Sequence, residues 1–349
     1  MSKRKQDSDV NEFWSLARSF LKVYLPNARE VSPNTVKAYK QALETLIKYI
    51  ENSGLTRDTI TIGALTPACI EGFMVWMSKE LNCRPRTCNL RLSAIKTFLR
   101  YCARHVITNE SVSREVLEVP SKKVRKDKIE YMSNKAAMAI MSAPDSRRIM
   151  GRRNIAMLTL LYDSAARVQE LVDIEVGDLF LNEKSGTEGD SFVTLHGKGD
   201  RFRNVTLSPK TAKLIQSYLN EFHPKMDRHA PLFYTRRTGS LWPLSVDSVS
   251  RVLKESADKA RKQVPDIPDR IHCHLLRKSR AMHLYIAGVQ LPAIMELLGH
   301  SSMNTTSGFY AFVTWDMVSE AMKKANEGHL DGIELWKDPD IRKKLYSLD

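Results

Sequence analysis

A stretch rich in lysine and arginine and poor in apolar residues interrupts this chain about a third of the way along. It runs from Pro120 through Lys122, Lys123, Arg125, Lys126 and Lys128. A segment of that composition has little to bury, so it cannot extend a core and reads as an exposed basic linker. It divides the 349 residues into two blocks, and a chain of that length is too long for one ordinary core. The organisation expected is a basic tail over residues 1–12, a helical domain over 13–118, the linker over 119–131, a second domain over 132–314, and a C-terminal helix and tail over 315–349.

Ahead of the linker the patterns are helical. Phe13 to Leu25 carries apolar residues at helical spacing, and Ser32-Pro33-Asn34 starts a second helix through Ile50. Val36, Tyr39, Leu43, Leu46 and Ile47 form its stripe. Thr66-Pro67 opens a third, to about Leu81, and a fourth runs from near Pro85 to about His105. In the fourth, Leu92, Ile95, Leu99 and Cys102 make a buried seam, while Lys96, Arg100 and Arg104 recur on another face. No acidic residue lies between Glu80 and Glu110. Solvated helix faces usually mix signs, so this one is expected to meet phosphates, with Arg86, Lys96, Arg100, Arg104, Lys122 and Lys123 as contacts.

The whole-chain charge points the same way. The net charge is +14 and the pI about 9.5. Residues 1–130 hold 23 lysines and arginines against 14 acidic residues, so the excess concentrates there. Nucleic acid is the commonest partner of such a protein. With 42% hydrophobic and 27% charged residues the chain is neither disordered nor membranous. Five cysteines without a CxxC pair argue for a reducing compartment and against a disulfide framework or a zinc module. The N-terminus has no apolar run behind its charges and no stretch is long enough to cross a bilayer, so the expected location is cytoplasmic.

Beyond the linker, Ser133 is a plausible helix cap, and Arg152 to Ala165 is helical with Ile155, Leu158, Leu161 and Tyr162 inward. Arg167 sits just past that helix, and Glu170 begins a further turn. Val193 and Leu195 alternate with polar residues, Gly197 to Asp200 makes a turn, and Val205 and Leu207 alternate again. This is a hairpin with Lys198 near its tip. Its Gly-Lys-Gly lacks the spacing and the following Ser/Thr of a phosphate-binding loop. Residues 210–222 and 244–262 read as amphipathic helices.

The densest chemistry lies between His272 and Tyr310. His274 and Arg277, three apart in a helical segment, share a face. A further helix opens at Pro292 and stops at Gly299, with His300 just after the cap and Tyr310 ten residues on. A guanidinium and imidazoles beside a phenol suit one job: holding a phosphate while a tyrosine oxygen attacks it. Zinc on His272, Cys273, His274 and His300 is disfavoured, because no second cysteine is near and Arg277 would repel the cation. No cofactor is expected.

In this order these pieces resemble the tyrosine recombinase, or phage integrase, family, with its Cre- and Xer-type members. The carriers are Arg167 in AARVQEL, Lys198 in HGKGDRFRNVTL, His274 and Arg277 in HLLRKS, His300 in LLGHSS, and Tyr310. Each motif alone is weak; together and in sequence order they are specific. The family usually places its nucleophile nine residues after the histidine of the LGH motif, and here the interval is ten, with Gly308 the candidate extra residue. Position 278 is lysine where many relatives have histidine.

The resemblance implies a mostly α fold with a small antiparallel β-sheet in the second domain: a helical core-binding domain and a catalytic domain closing as a C-shaped clamp around DNA. It implies that Arg167 and Arg277 hold the scissile phosphate, Tyr310 attacks, His274 is the base, Lys198 the general acid, and His300 a hydrogen-bond donor. It implies a homo-tetramer on two duplexes carrying inverted-repeat core sites, a Holliday junction midway, and a C-terminal segment docked on a neighbouring protomer. Two other readings share many of these residues. A type IB topoisomerase-like enzyme would relax a plasmid without a special site. A non-catalytic DNA-binding protein on the same scaffold would have lost a site residue, and none of the six is missing.

Overall fold

The computed structural model of the chain describes residues 3–105, 110–124, 130–182, 190–197 and 201–299. It divides into two compact units, Met1–Lys126 and Asp127–Asp349.

The first unit is helical. Helix α1 spans Lys3–Ser19 and passes into a π-helical segment, Phe20–Ala28, that contains Pro26. The wider pitch accommodates a residue that cannot donate a backbone hydrogen bond. Residues 3–12, expected as a tail, are therefore helix: Lys, Gln and Asp all tolerate helical dihedrals, and the turns that follow carry the apolar anchors Val10 and Phe13. Helices α2 (Pro33–Asn52), α3 (Pro67–Lys79) and α4 (Pro85–His105) follow. Ser32 and Thr66 cap the first two of these by accepting from the amides of Thr35 and Cys69, each with proline at the first helical position. A short α5, Glu110–Leu117, closes the unit. Phe13, Phe20, Leu46, Phe73, Ile95, Phe98 and Val116 lie in one buried cluster.

The expected linker begins differently from its composition. Val119 is buried in that cluster, and Lys122 is strapped to α4, its amide donating to Asn89 Oδ1 (2.8 Å) and its carbonyl accepting from Asn89 Nδ2 (2.9 Å).

The second unit is mostly helical with a small antiparallel sheet. Helices α6 (Asn134–Ser142), α7 (Ile149–Asp163) and the short α8 (Val168–Val172) lead into strands β1 (Leu179–Phe180), β2 (Phe192–Gly197) and β3 (Arg201–Thr206). The strands pair in the order β1-β2-β3, with Val193 opposite Val205 and Gly197 opposite Arg201. Val193, Leu195 and Val205 are buried, and their side is the core face of the sheet. After α9 (Pro209–Phe222) comes a two-stranded ribbon, β4 (Tyr234–Arg237) and β5 (Ser240–Pro243). Helices α10 (Val246–Arg261), α11 (Cys273–Ile286) and α12 (Leu291–Leu298) complete the described residues. Gly299 ends α12 in the left-handed conformation, φ +57°. The expected helix near residues 317–325 lies outside the described residues. No described helix is long and apolar enough to cross a membrane.

A candidate active site

Between α7 and α8 the chain turns sharply at Ala165, a fully buried residue with φ +48°. A side chain in that region costs about 1–2 kcal/mol, and here it points the Ala165 carbonyl at α11, where Arg277 Nη1 donates to it at 2.7 Å. Two residues on, Arg167 begins α8. Its amide donates to Glu170 Oε2 (2.8 Å) and its Nη1 to Glu170 Oε1 (2.6 Å). One turn of backbone thus joins an arginine and its carboxylate.

Glu170 is the hub of the cluster. Its side chain is 4% exposed. It takes two further bonds from a third arginine, Arg203 of β3: Nη1 to Oε1 at 3.0 Å and Nη2 to Oε2 at 2.6 Å. Arg277 Nη1 lies 3.7 Å from Oε2, and the Arg277 side chain is 2% exposed. Burial would raise the Glu170 carboxyl, but the hydrogen bonds from Arg203 and from the Arg167 amide outweigh it and hold the group at about 2. Burial, then the nearby Arg167, lowers the Arg277 guanidinium to about 9 against the pull of Glu170, so it keeps its charge at neutral pH.

The same three guanidiniums meet the end of α12. Helix C-termini leave their last carbonyls without intrahelical partners and carry partial negative charge. Arg203 Nε donates to the Leu297 carbonyl (2.9 Å), Arg277 Nη2 donates to that of Leu298, and Arg167 Nη2 reaches that of Gly299 at 3.5 Å. Three consecutive main-chain oxygens are thus held by three arginines from three different elements.

His274, on the first turn of α11, adjoins this charge. Loss of water around the ring, followed by Lys278, Arg277, His272 and Arg167, pushes its imidazole down to about 4, so the ring is neutral at neutral pH. His272 caps α11, its Nδ1 accepting from the Leu275 amide at 3.1 Å. The two rings lie nearly parallel, centroids 6.4 Å apart. The His272 nitrogen that caps the helix has no lone pair left for a cation. Among the described residues no group of three metal-ligating side chains comes together.

Of the six expected site residues the structure brings together Arg167, His274 and Arg277. Lys198, His300 and Tyr310 lie outside the described residues. The residues just before two of them flank the cluster: a Cβ built on Gly197 would sit 3.6 Å from Arg203 Nη1 and 3.9 Å from Glu170 Oε1, and one built on Gly299 would sit 3.0 Å from Arg203 Nη1. Sequence reasoning missed Arg203. The signal was available, because strand alternation puts residue 203 in phase with buried Val205, and an arginine on the core face needs a partner.

The expected phosphate-contacting residues fare unevenly. Arg86, Arg100, Arg104 and Lys123 are exposed. Lys96 is not free for phosphate: its Nζ donates to the carbonyls of Leu117 (2.7 Å) and Val119 (2.6 Å), joining α4 to the end of α5. Its four-residue spacing from Arg100 is real, but those carbonyls lie at and just past the end of a short helix that the sequence did not reveal. Lys122 Nζ is likewise bonded to Ser78 Oγ.

Guanidiniums gathered on a buried carboxylate at the end of a helix, with a neutral imidazole beside them, concentrate the charged hydrogen-bond donors that an oxyanion calls for. Comparison with known proteins gives the family. The model of the phage integrase family matches residues 130–314, and that of the phage integrase N-terminal SAM-like domain matches residues 18–105. The chain belongs to the phage integrase family and is an enzyme of the tyrosine recombinase type. Tyrosine recombinase XerD of Listeria innocua is 28% identical over 288 residues, 81% of this chain and 89% of that protein. Among solved structures, XerH site-specific recombinase bound to palindromic difH substrate superposes with a TM-score of 0.64 at 18% identity, covering 91% of this chain and 89% of that one. A lambda integrase tetramer bound to a Holliday junction gives 0.59 at 17% identity, covering 83% and 77%.

Proposed function

We propose that the protein is a site-specific DNA recombinase that cuts and rejoins strands through a 3′-phosphotyrosine. The observation that carries this reading is the pair Arg167 and Arg277, fixed by one buried carboxylate and flanked by a neutral His274. Arg167 and Arg277 take the two non-bridging oxygens of a phosphodiester, whose charge grows in the transition state. The Tyr310 hydroxyl attacks phosphorus and its proton passes to His274. The cations that depress this imidazole are neutralised in part by the arriving phosphate, which restores its affinity for a proton. The bond from phosphorus to the 5′ oxygen breaks, and Lys198 gives that oxygen a proton. His300 donates a hydrogen bond to the phosphate. A 5′ hydroxyl from a second strand then displaces the tyrosine, so each phosphodiester is exchanged without ATP.

In this reading residues 13–118 bind the core site, 132–314 carry catalysis and 315–349 dock on a neighbouring protomer. The DNA is a duplex with inverted-repeat core sites, the working form is a homo-tetramer passing through a Holliday junction, and the protein acts in the cytoplasm on the nucleoid. Palindromic DNA bound to XerH and the lambda integrase tetramer support these points by analogy of fold.

The test is to incubate the protein with a pool of nicked duplexes of randomised core, recover DNA that stays attached under denaturing conditions, and sequence it. Attachment to one family of inverted repeats, lost on Tyr310→Phe while duplex binding stays, is the expected result. Adducts that persist in the variant overturn the assignment of the nucleophile. Relaxation of any supercoiled plasmid, with no preferred core, favours the topoisomerase reading instead.

A further inference from the structure

Arg203 has no part in the chemistry described so far, yet its side chain makes three hydrogen bonds to the cluster where that of each arginine of the clamp makes two. Its fork is bidentate on Glu170 and its Nε donates to the Leu297 carbonyl, so all three guanidinium nitrogens are committed to protein acceptors. With every guanidinium nitrogen on a protein acceptor, Arg203 ties the strand to the cluster as a strut does.

What the strut joins gives it a purpose. Arg203 is the middle of β3, and β3 is paired to β2 up to Gly197 opposite Arg201. The chain leaves β2 at Gly197, where an added Cβ would lie within 4 Å of both Arg203 and Glu170, and Lys198 is the next residue. The chain leaves α12 at Gly299, where an added Cβ would meet the Arg203 side chain. Among the described residues no other side chain in the cluster belongs to the hairpin: Arg167 and Glu170 lie at α8 and Arg277 on α11.

We propose that Arg203 is a positioning residue for strand cleavage, fixing the end of the β2–β3 hairpin against Glu170 and the last turn of α12. This rests on the reading of the site as a strand-cleaving centre. Without the strut the hairpin loses its described side-chain link to Glu170 and the end of α12, and the residue leaving β2 is held less firmly relative to the phosphate clamp. The step that suffers is then protonation of the departing 5′ oxygen. Arg167 and Arg277 keep their own bonds to Glu170, Ala165 and Leu298.

A change of leaving group tests this. On the core site found above, single-turnover cleavage is measured on the natural duplex and on one with sulfur in place of the bridging 5′ oxygen at the cut. Sulfur departs as a thiolate and needs no proton. Arg203→Ala is expected to cleave the natural duplex about 100-fold more slowly than the parent, the lower end of what a general acid supplies. On the sulfur duplex it should come within about tenfold of the parent, leaving only a residual loss in the clamp. Slow cleavage of both substrates, or parental cleavage of the natural one, overturns the proposal. Should Arg203→Ala fail to fold, judged by thermal unfolding and duplex affinity, Arg203→Lys decides on the same criterion, since it keeps the charge and loses the fork. A parallel Lys198→Ala series judges the assignment of the acid separately. If it is slow on both substrates while the Arg203 variant is rescued, the hairpin is positioned by Arg203 but the acid is another group.

Discussion

Exchanging Glu170 for glutamine changes almost no volume and removes the one negative charge among three guanidiniums. Whichever way the amide sits, its nitrogen replaces an oxygen that accepts two hydrogen bonds, from Arg167 and Arg203 in either case. Charge-assisted bonds contribute about 1.5–3 kcal/mol each, so losing two costs about 3–6 kcal/mol. The carboxyl's own titration gives a second route. It falls from an ordinary 4.5 to about 2, and at about 1.36 kcal/mol per pH unit that interval is worth about 3 kcal/mol. Both routes meet near about 3 kcal/mol, the lower end of the cost of stripping one partner from a buried ion pair.

The sign follows from the direction of the shift. The folded value lies below the unfolded one, so the stabilisation is complete above about 4.5 and disappears as pH falls toward 2. Near pH 3 about 2 kcal/mol of it is gone. Urea unfolding of the parent and of Glu170→Gln, at pH 7 and about pH 3, reads this directly. The variant should be weaker by about 3 kcal/mol at neutrality, and the gap should shrink to about 1 kcal/mol in acid. A gap that is the same at both pH values refutes the picture of an ionised hub, because the other carboxylates cancel in the difference.

Three further outcomes are expected. His274 in the free protein is neutral above about 4, so the second-order rate of cleavage at subsaturating DNA, which reports the free protein's groups, should stay flat as pH drops from 8 to about 5; an acid limb there at the usual imidazole value of about 6.5 would show that the surrounding cations do not act on it. Lys96→Met should destabilise the first unit by about 1.5–3 kcal/mol through the two carbonyls it abandons, while leaving the salt dependence of DNA binding unchanged. Arg100→Ala should do the reverse, lowering the slope of log affinity against log salt by about 1, and identical slopes for parent and Arg100→Ala would remove that helix face from the DNA contact.

Helix starts were legible because their causes are local. Serine or threonine before Pro33 and Pro67 is sufficient to cap a helix whatever packs on it later. The hairpin of β2 and β3 was legible from alternation about a glycine turn. The ribbon of β4 and β5 was not, since it turns through Thr238 and Gly239, both at positive φ, and exposes nearly all of its residues. With no apolar alternation to report, such a ribbon leaves only a Thr-Gly pair as its trace. Helix α5 escaped for a related reason: it is only two turns long, too short for its apolar period to show.

In the candidate site, Arg167, His274 and Arg277 were singled out through motifs that put chemistry at fixed spacing. Their convergence depends on a backbone reversal at Ala165, a residue whose identity gives no hint of left-handed geometry. The basic face of α4 shows the opposite failure. Spacing placed Lys96 with Arg100, but only the tertiary partner of each ammonium decides whether it is available to a ligand.

The three acceptors at the end of α12 belong to peptide units, and a peptide oxygen is the same whatever residue bears it. Leu297 and Leu298 are therefore free to drift among helix formers that pack, with no change in what the arginines grasp. The arginines have no such latitude. Divergence in this part of the molecule should accumulate on the side that offers oxygen and stay frozen on the side that offers nitrogen.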